Sequence, residues 1–361
     1  MHKFLYLKFL LFPFALAYSL VMQIRSFLYA RSFLKREKFT PFIISVGNLS
    51  VGGTGKTPHV EYLIKLFLSS SKRVAMLSRG YGRQTRGVII ADKSVLSKTI
   101  GDEPMQIYAK FGSKITLAVG EKRALAIPAM LKDNPQIEVI VLDDAFQHQA
   151  VNRNINILLT EYYRPFYCDF VVPIGRLREG KRGAKRADIV IVTKCPDFLA
   201  ISEKETAIKK IKYYAGKEVP IFFTKFRYAE PEPLLFLEKS SIIKPLSEQS
   251  AIVLLTGIAN PSPMVNYLKG KYHIEKHFDF ADHFEYSENA LKQLLKKIKA
   301  LNLPEDYAII TTEKDSVKLQ EFGNLLAGIP IFYLPVEVVF LENEEKFIHL
   351  ITKNLTDFKN L

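Results

Sequence analysis

The sequence predicts an α/β protein with a doubly wound, mostly parallel sheet, a second and smaller α/β domain, and a hydrophobic helix ahead of both. Three observations carry that prediction. Apolar runs recur along the chain as continuous rather than alternating stretches, which is how parallel strands covered on both faces read. Helix-like stretches separate them, in the βαβ order of a doubly wound domain. One run leads into a glycine-rich loop that opens a helical pattern, and an almost wholly apolar segment precedes the first strand.

That first segment, residues 4–22, is almost all apolar and aromatic, broken by Lys8 and Pro13. As a helix it spans roughly 28 Å, close to the hydrocarbon thickness of a bilayer. Arg25, Arg31, Lys35, Arg36 and Lys38 follow it. Three arrangements compete. Ala15-Leu16-Ala17 imitates the cleavage site of a signal peptide. A loop that uses ATP argues against export. A transmembrane span would keep the basic flank in the cytoplasm. A monotopic helix lying in the interface suits Tyr6, Lys8, Tyr18 and the same flank. Either of the last two places the globular part peripherally on the cytoplasmic membrane face. A buried core helix before the first strand would be unusual.

Residues 39–226 form the first expected domain. Strands are expected at 42–46, 74–77, 115–119, 139–142, 155–159, 189–192 and 221–224. The first leads to Ser50-Val51-Gly52-Gly53-Thr54-Gly55-Lys56-Thr57, and residues 59–67 then read as a helix. Strand, loop and helix in that order are what a phosphate-binding P-loop requires. Glycines let backbone N–H groups face an anion, and the helix N-terminus adds its positive end. Lys56 would reach the β- and γ-phosphates of ATP, and the Thr57 hydroxyl would ligate Mg²⁺. Ser50 stands where the pattern wants glycine.

The 139–142 strand ends in Asp143-Asp144. In a P-loop enzyme such acids hold Mg²⁺ directly or through water. Gly101-Asp102-Glu103-Pro104 places two acids before the helical run 105–111, where capping is the ordinary role. A carboxylate near the γ-phosphate can also accept a proton from an attacking hydroxyl. Arg79, just beyond the second strand, would meet phosphate or form a surface ion pair. Arg176, Arg178, Lys181, Arg182, Lys185 and Arg186 make a basic stretch, either a solvated loop or an anion site.

The pattern breaks near Tyr228, and residues 227–245 read as an extended β linker. A second α/β pattern occupies 246–361, with strands at 251–256, 307–312 and 331–334 and a Lys-rich amphipathic helix at 287–301. Asp282 and His283 cluster within it. There is no short-period repeat. The 361 residues suit about two domains. Cys168 and Cys195 fit no zinc spacing and no disulfide framework. A formal charge of +14 favours an anionic partner, whether nucleic acid, acidic lipid or phosphorylated substrate.

Together these segments resemble the tetraacyldisaccharide 4′-kinase family of lipid A biosynthesis. The matching pieces are Gly47-Asn48-Leu49, Gly52 to Pro58, Ser78-Arg79-Gly80-Tyr81-Gly82, Gly101 to Pro104, and Asp143-Asp144 with Phe146-Gln147-His148. Gly175 to Glu179, Asp282-His283 and Thr312-Glu313-Lys314-Asp315 complete the set in order. Ala145 departs from it, since glycine is expected after the paired acids. The resemblance implies two α/β domains with the active site between them. It implies transfer of the ATP γ-phosphoryl group to the 4′-hydroxyl of an acylated glucosamine disaccharide 1-phosphate, on the cytoplasmic face of the bacterial inner membrane. The helix and basic flank of residues 1–38 then hold the enzyme at the lipid surface where its substrate resides. By the same resemblance Asp102 is the general base, supported by His283, and Glu103, Asp143 and Asp144 surround Mg²⁺ with Thr57. Arg123, Gln147, His148 and Arg178 face the sugar phosphate or the transition-state charge.

A membrane-attached P-loop ATPase or GTPase switch is the alternative. Partition-type ATPases carry an extra lysine where this chain has Val51, and Thr193-Lys194 with Asp197 misses a guanine-reading spacing by one. A nucleic-acid partner would want aromatics among the basic residues of 176–186, which has none. No obligatory protein partner is evident.

Overall fold

A computed structural model describes residues 2–235, 246–304 and 306–360. Among them, strands numbered in chain order form two sheets. The larger contains β1 (Phe42–Asn48), β2 (Val74–Ser78), β3 (Ile89–Ile90), β4 (Thr116–Val119), β5 (Val139–Asp143), β6 (Ile155–Glu161), β7 (Ile189–Thr193) and β8 (Ile221–Tyr228). The smaller contains β9 (Glu232–Pro233), β10 (Ala251–Thr256), β11 (His273–Asp279), β12 (Ala308–Thr312) and β13 (Ile331–Leu334). A last strand, β14 (Val336–Phe340), returns to the larger sheet.

The larger sheet runs β14-β8-β7-β6-β1-β5-β2-β4-β3. Its pairs are parallel except β14 with β8 and β3 with β4 at the two edges. β1 lies between β5 and β6, where the winding reverses direction. Loops after the carboxyl ends of such strands form the binding crevice of a doubly wound sheet. Continuous apolar sequence follows from covering both faces. Phe42, Ile44 and Val46 pack with Val60, Leu63, Ile64 and Phe67 on one side. Ile43 points the other way, toward Ala126, Ile127 and Met130. The smaller sheet runs β11-β10-β12-β13-β9 and has its own core.

Two boundaries differ from expectation. The second domain does not extend to the end of the chain. β14 pairs antiparallel with β8, and the helix Glu344–Lys359 packs on the first core through Phe347, Ile351 and Leu355. The physical reason is that Val338 and Phe340 complete the apolar surface beside Phe222. The expected linker contributes β9 to the smaller sheet, while its remainder, 236–245, lies outside the described residues.

The first helix runs from His2 to Ala30, past the expected end at 22. The side chains of Tyr6 and Lys8 lie outside the described residues. From Leu10 onward the helix is apolar and almost wholly uncovered. It is tied to the body by polar contacts. Tyr18 OH donates to Arg178 O at 2.9 Å, and Gln149 Nε2 donates to Ser26 Oγ at 3.1 Å.

Phe347 is 1% exposed and meets the rings of Phe222, Phe340 and Tyr62. Phe347→Ala should destabilise the protein by about 3–5 kcal/mol in urea unfolding, from lost burial plus a cavity. Phe198→Ala, at a side chain 94% exposed, should stay within about 0.5 kcal/mol of the parent.

Candidate active site

The glycine-rich loop leaves β1 and ends where the helix Lys56–Ser69 begins. Gly52 (φ 106°) and Gly55 (φ 84°) adopt left-handed backbone. A Cβ on Gly55 would also lie 2.3 Å from the Phe226 ring. Ser50 needs no such freedom. It sits in a strand-like bridge to Leu177, and the next N–H, of Val51, donates to Arg176 O at 2.7 Å. Thr54 Oγ1 accepts from Asn48 Nδ2 at 2.9 Å. Lys56 opens the helix with Nζ 3.9 Å from Asp144 Oδ1, and Thr57, half-buried, follows it in the first turn.

The paired acids stand in different surroundings. Asp143 is buried, and its Oδ2 accepts from Ser78 Oγ at 3.0 Å. Its Oδ1 is buried and has no hydrogen-bond partner among the described residues. Burial, with the Glu103 and Asp144 charges, pushes its pKa up to about 7. Asp144 is clamped by Arg178, whose guanidinium nitrogen lies 2.8 Å from each carboxylate oxygen. Burial works against its charge, but Lys56 and Arg178 outweigh that and hold its pKa below the ordinary range. Asp144 itself carries the left-handed backbone, with φ 46°. Ala145 is not among the residues of positive φ, so its Cβ meets no backbone conflict where glycine was expected.

Among the described residues no cluster of three or more acidic, histidine or cysteine side chains is arranged to hold a metal alone. Mg²⁺ in a P-loop site draws most of its ligands from phosphate and water. The unpartnered Asp143 Oδ1, crowded by two other carboxylates, fits such an ion.

Asp102 begins the helix Asp102–Phe111 rather than preceding it. Two residues of the smaller domain reach it. His283 Nδ1 lies 3.2 Å from its Oδ2, and Lys318 Nζ lies 2.9 Å from the same oxygen. Burial opposes ionisation of Asp102, but His283, Lys318 and Lys314 prevail and keep its pKa below the usual value. A cleft of about 320 Å³ opens here, lined by Tyr81, Lys98, Asp102, His283, Lys318 and Glu321.

The basic candidates divide. Arg178 belongs to the acid cluster. Arg79 is exposed at the end of β2, near enough to oppose the charging of Arg123 and His148. Arg123 is 2% exposed and donates to Gly120 O at 2.7 Å and Asp143 O at 3.3 Å. It lies beneath the acids, so contact with a sugar phosphate is not what its geometry offers. Gln147 Nε2 is likewise engaged, with Asn48 O at 2.9 Å and Glu179 Oε1 at 3.0 Å. Burial, then Arg123 and Arg79, push the His148 pKa down to about 4.

Lys318 is a site residue that sequence reasoning missed. The signal was present: it lies three residues beyond the motif Thr312 to Asp315, in the helix Glu313–Gln320. The motif also acquires a role. Asp315 Oδ2 accepts from Gly257 N at 2.8 Å and Thr312 Oγ1 at 2.6 Å. His283 N in turn donates to Gly257 O at 3.3 Å. Asp315 thereby sets the loop that carries His283. Glu313 joins the domains: Lys110 Nζ lies 2.5 Å from Glu313 Oε1 and 2.6 Å from Glu61 Oε2.

Comparison with known proteins converges on one group. The family described as "Tetraacyldisaccharide-1-P 4'-kinase" matches residues 7–356. The tetraacyldisaccharide 4'-kinase of Cytophaga hutchinsonii is 36% identical, over 99% of this chain and 98% of the relative. That of Flavobacterium johnsoniae is 41% identical, over 94% and 95%. A crystal structure of the "apo" form of LpxK from Aquifex aeolicus in complex with ATP superposes with a TM-score of 0.75. It is 30% identical and covers 97% of this chain and 99% of that one.

Asp143→Asn tests the reading of the acid cluster. The folded-state pKa of Asp143 lies above its unfolded value, so the folded protein binds the extra proton between about pH 4 and pH 7. Stability contributed by this group is therefore lost as pH rises through that window. Relative to wild type, Asp143→Asn should gain stability from pH 4 to pH 8, as measured by urea unfolding at both values. Mg²⁺ with nucleotide should raise the wild-type midpoint more than that of the variant.

Proposed function

The chain belongs to the tetraacyldisaccharide-1-P 4'-kinase family, and we propose how its residues divide the work of that reaction. It is an ATP-dependent kinase of lipid A biosynthesis that phosphorylates the 4′-hydroxyl of tetraacyldisaccharide 1-phosphate. The observation that carries the residue assignment is Asp102, ionised and held by His283 and Lys318 from across the cleft.

In this reading the acceptor sugar enters the cleft and its 4′-hydroxyl gives its proton to Asp102. A carboxylate with a depressed pKa is a weak base. It suffices because phosphoryl transfer is loose, and the nucleophile sheds its proton late. His283 orients the carboxylate and steadies its charge. The loop from Ser50 to Thr57 cradles the phosphates with its N–H groups, and Lys56 meets charge that grows on the γ-phosphoryl oxygens. Arg178 holds Asp144 beside that charge, and Arg123 supplies positive potential from below. Arg79 and His148 stand at the same edge, toward the substrate's phosphate, and Gln147 braces that edge through Asn48 O and Glu179. Mg²⁺, when bound with the nucleotide, would neutralise phosphate charge, held by Thr57 and Asp143 with Glu103 and Asp144 around it.

The first helix supports attachment at the cytoplasmic membrane face. Its uncovered apolar length would lie in the interface, and Arg178 sits at both the acid cluster and the helix through Tyr18. The sugar of a lipid anchored in that membrane would then reach the cleft without leaving it.

The activity test is purified enzyme with ATP and tetraacyldisaccharide 1-phosphate. Bisphosphorylated lipid should appear in step with ADP. ADP released at the same rate without acceptor would favour the ATPase-switch alternative. For the mechanism, Asp102→Ala should lower kcat by roughly 10²–10⁴, the usual weight of a general base, with little change in ATP KM. His283→Ala should cost less, and the double variant less than the product of the single losses. A large rise in ATP KM for Asp102→Ala would make it a nucleotide contact instead. Removing residues 1–24 should shift the protein from membranes to the soluble fraction, completely at high salt. Retention there would place the anchor elsewhere.

A further inference from the structure

Consecutive carbonyl groups of the glycine-rich loop are gripped from outside it. Lys194 Nζ donates to Gly53 O at 2.5 Å, Thr193 Oγ1 donates to Thr54 O at 2.9 Å, and His59 Nδ1 lies 2.8 Å from Gly55 O. A carbonyl can only accept, so Nδ1 of His59 carries the proton. Its Nε2 then accepts from Thr224 Oγ1 at 3.1 Å. None of these side chains has a part in the chemistry above.

A trans peptide points its C=O and N–H in opposite directions. Carbonyls held in this way turn the N–H groups of Gly55 and Lys56 to the opposite side of the loop, while the Thr54 N–H donates to Gly52 O at 3.1 Å and closes the turn that Lys194 holds. An anion seated there meets donors already aimed, with no reorganisation on binding. Lys194 is itself fixed by Glu161 Oε1 at 2.5 Å. Its backbone is left-handed, φ 55°, a conformation a lysine adopts at some cost. That turn follows the last residue of β7 and carries the ammonium across the back of the loop.

We propose that Lys194, Thr193 and His59 are positioning residues that set the loop for phosphate. The inference rests on the loop being the phosphate site, and Lys56→Ala serves as the control for that reading.

The experiment measures ATP and ADP affinity by calorimetry, with ATP KM and kcat, for Lys194→Met, Lys194→Arg, Thr193→Val and Lys56→Ala. Thermal unfolding without nucleotide checks each fold. Lys194→Met should weaken both nucleotides by about 10- to 100-fold, the span of one charge-assisted hydrogen bond. Its kcat at saturating ATP should stay within about threefold of wild type, because reacting groups are untouched. Lys194→Arg should recover most of the affinity. Thr193→Val, a near-isosteric change that serves if Lys194→Met folds poorly, should show a smaller loss of the same kind. Wild-type affinity in Lys194→Met and Thr193→Val, with loss in Lys56→Ala, would overturn the proposal and leave the phosphate loop standing. Wild-type affinity in Lys56→Ala as well would overturn both. A fall in kcat with ATP KM unchanged would move Lys194 into the chemistry and equally overturn its positioning role.

Discussion

The contact of Asp102 with His283 and Lys318 depends on how the chain crosses between sheets. The main chain leaves the larger sheet after β8 and returns on β14, and these two strands are hydrogen-bonded neighbours. All of the smaller sheet hangs from that one pair of strands. Glu313, placed between Lys110 and the N–H of Val336, ties this bridge to the helix that starts at Asp102. The helix that begins at Asp102 is thus tied to the smaller domain at both of its ends.

A second constraint is electrostatic. Asp143, Asp144 and Glu103 converge where β5 ends, and like charges so close cannot all ionise cheaply in a buried setting. The protein answers unevenly. Asp144 receives Arg178 and Lys56, whereas Asp143 receives one hydroxyl. The imbalance leaves one Asp143 oxygen without a hydrogen-bond partner among the described residues, beside two other carboxylates.

Much of this was legible in the sequence because continuous apolar runs and a Gly-Lys-Thr turn have few physical interpretations. The strands from 42 to 224 and the loop between Ser50 and Thr57 fell where the pattern placed them. What escaped had weaker local signals. β14 is an edge strand with four of its five residues only half-buried, so its sequence could not say which sheet it joins. Lys318 sits in a helix too short and polar to stand out, and only tertiary packing aims it at Asp102. The motif Thr312 to Asp315 was visible as a string, but its work of bracing Gly257 is a contact between segments far apart in the chain. Arg123 entered through the resemblance alone, and its burial and its bonds to the Gly120 and Asp143 carbonyls are tertiary facts that no local sequence signal carries. The expected glycine at Ala145 was a question of one dihedral angle, and the left-handed turn falls one residue earlier, at Asp144.

The crossing between sheets has a further consequence. Ala229 N donates to Pro335 O at 3.0 Å, so the segment that begins after β8 ends at almost the point where it began. Topologically it is an insertion in a hairpin rather than a tail. A unit whose ends meet at one hydrogen bond can be lengthened, trimmed or grafted from a relative without altering the spacing of the strands that carry it. The smaller sheet is thus carried between two neighbouring strands of the sheet whose β1 leads into the glycine-rich loop.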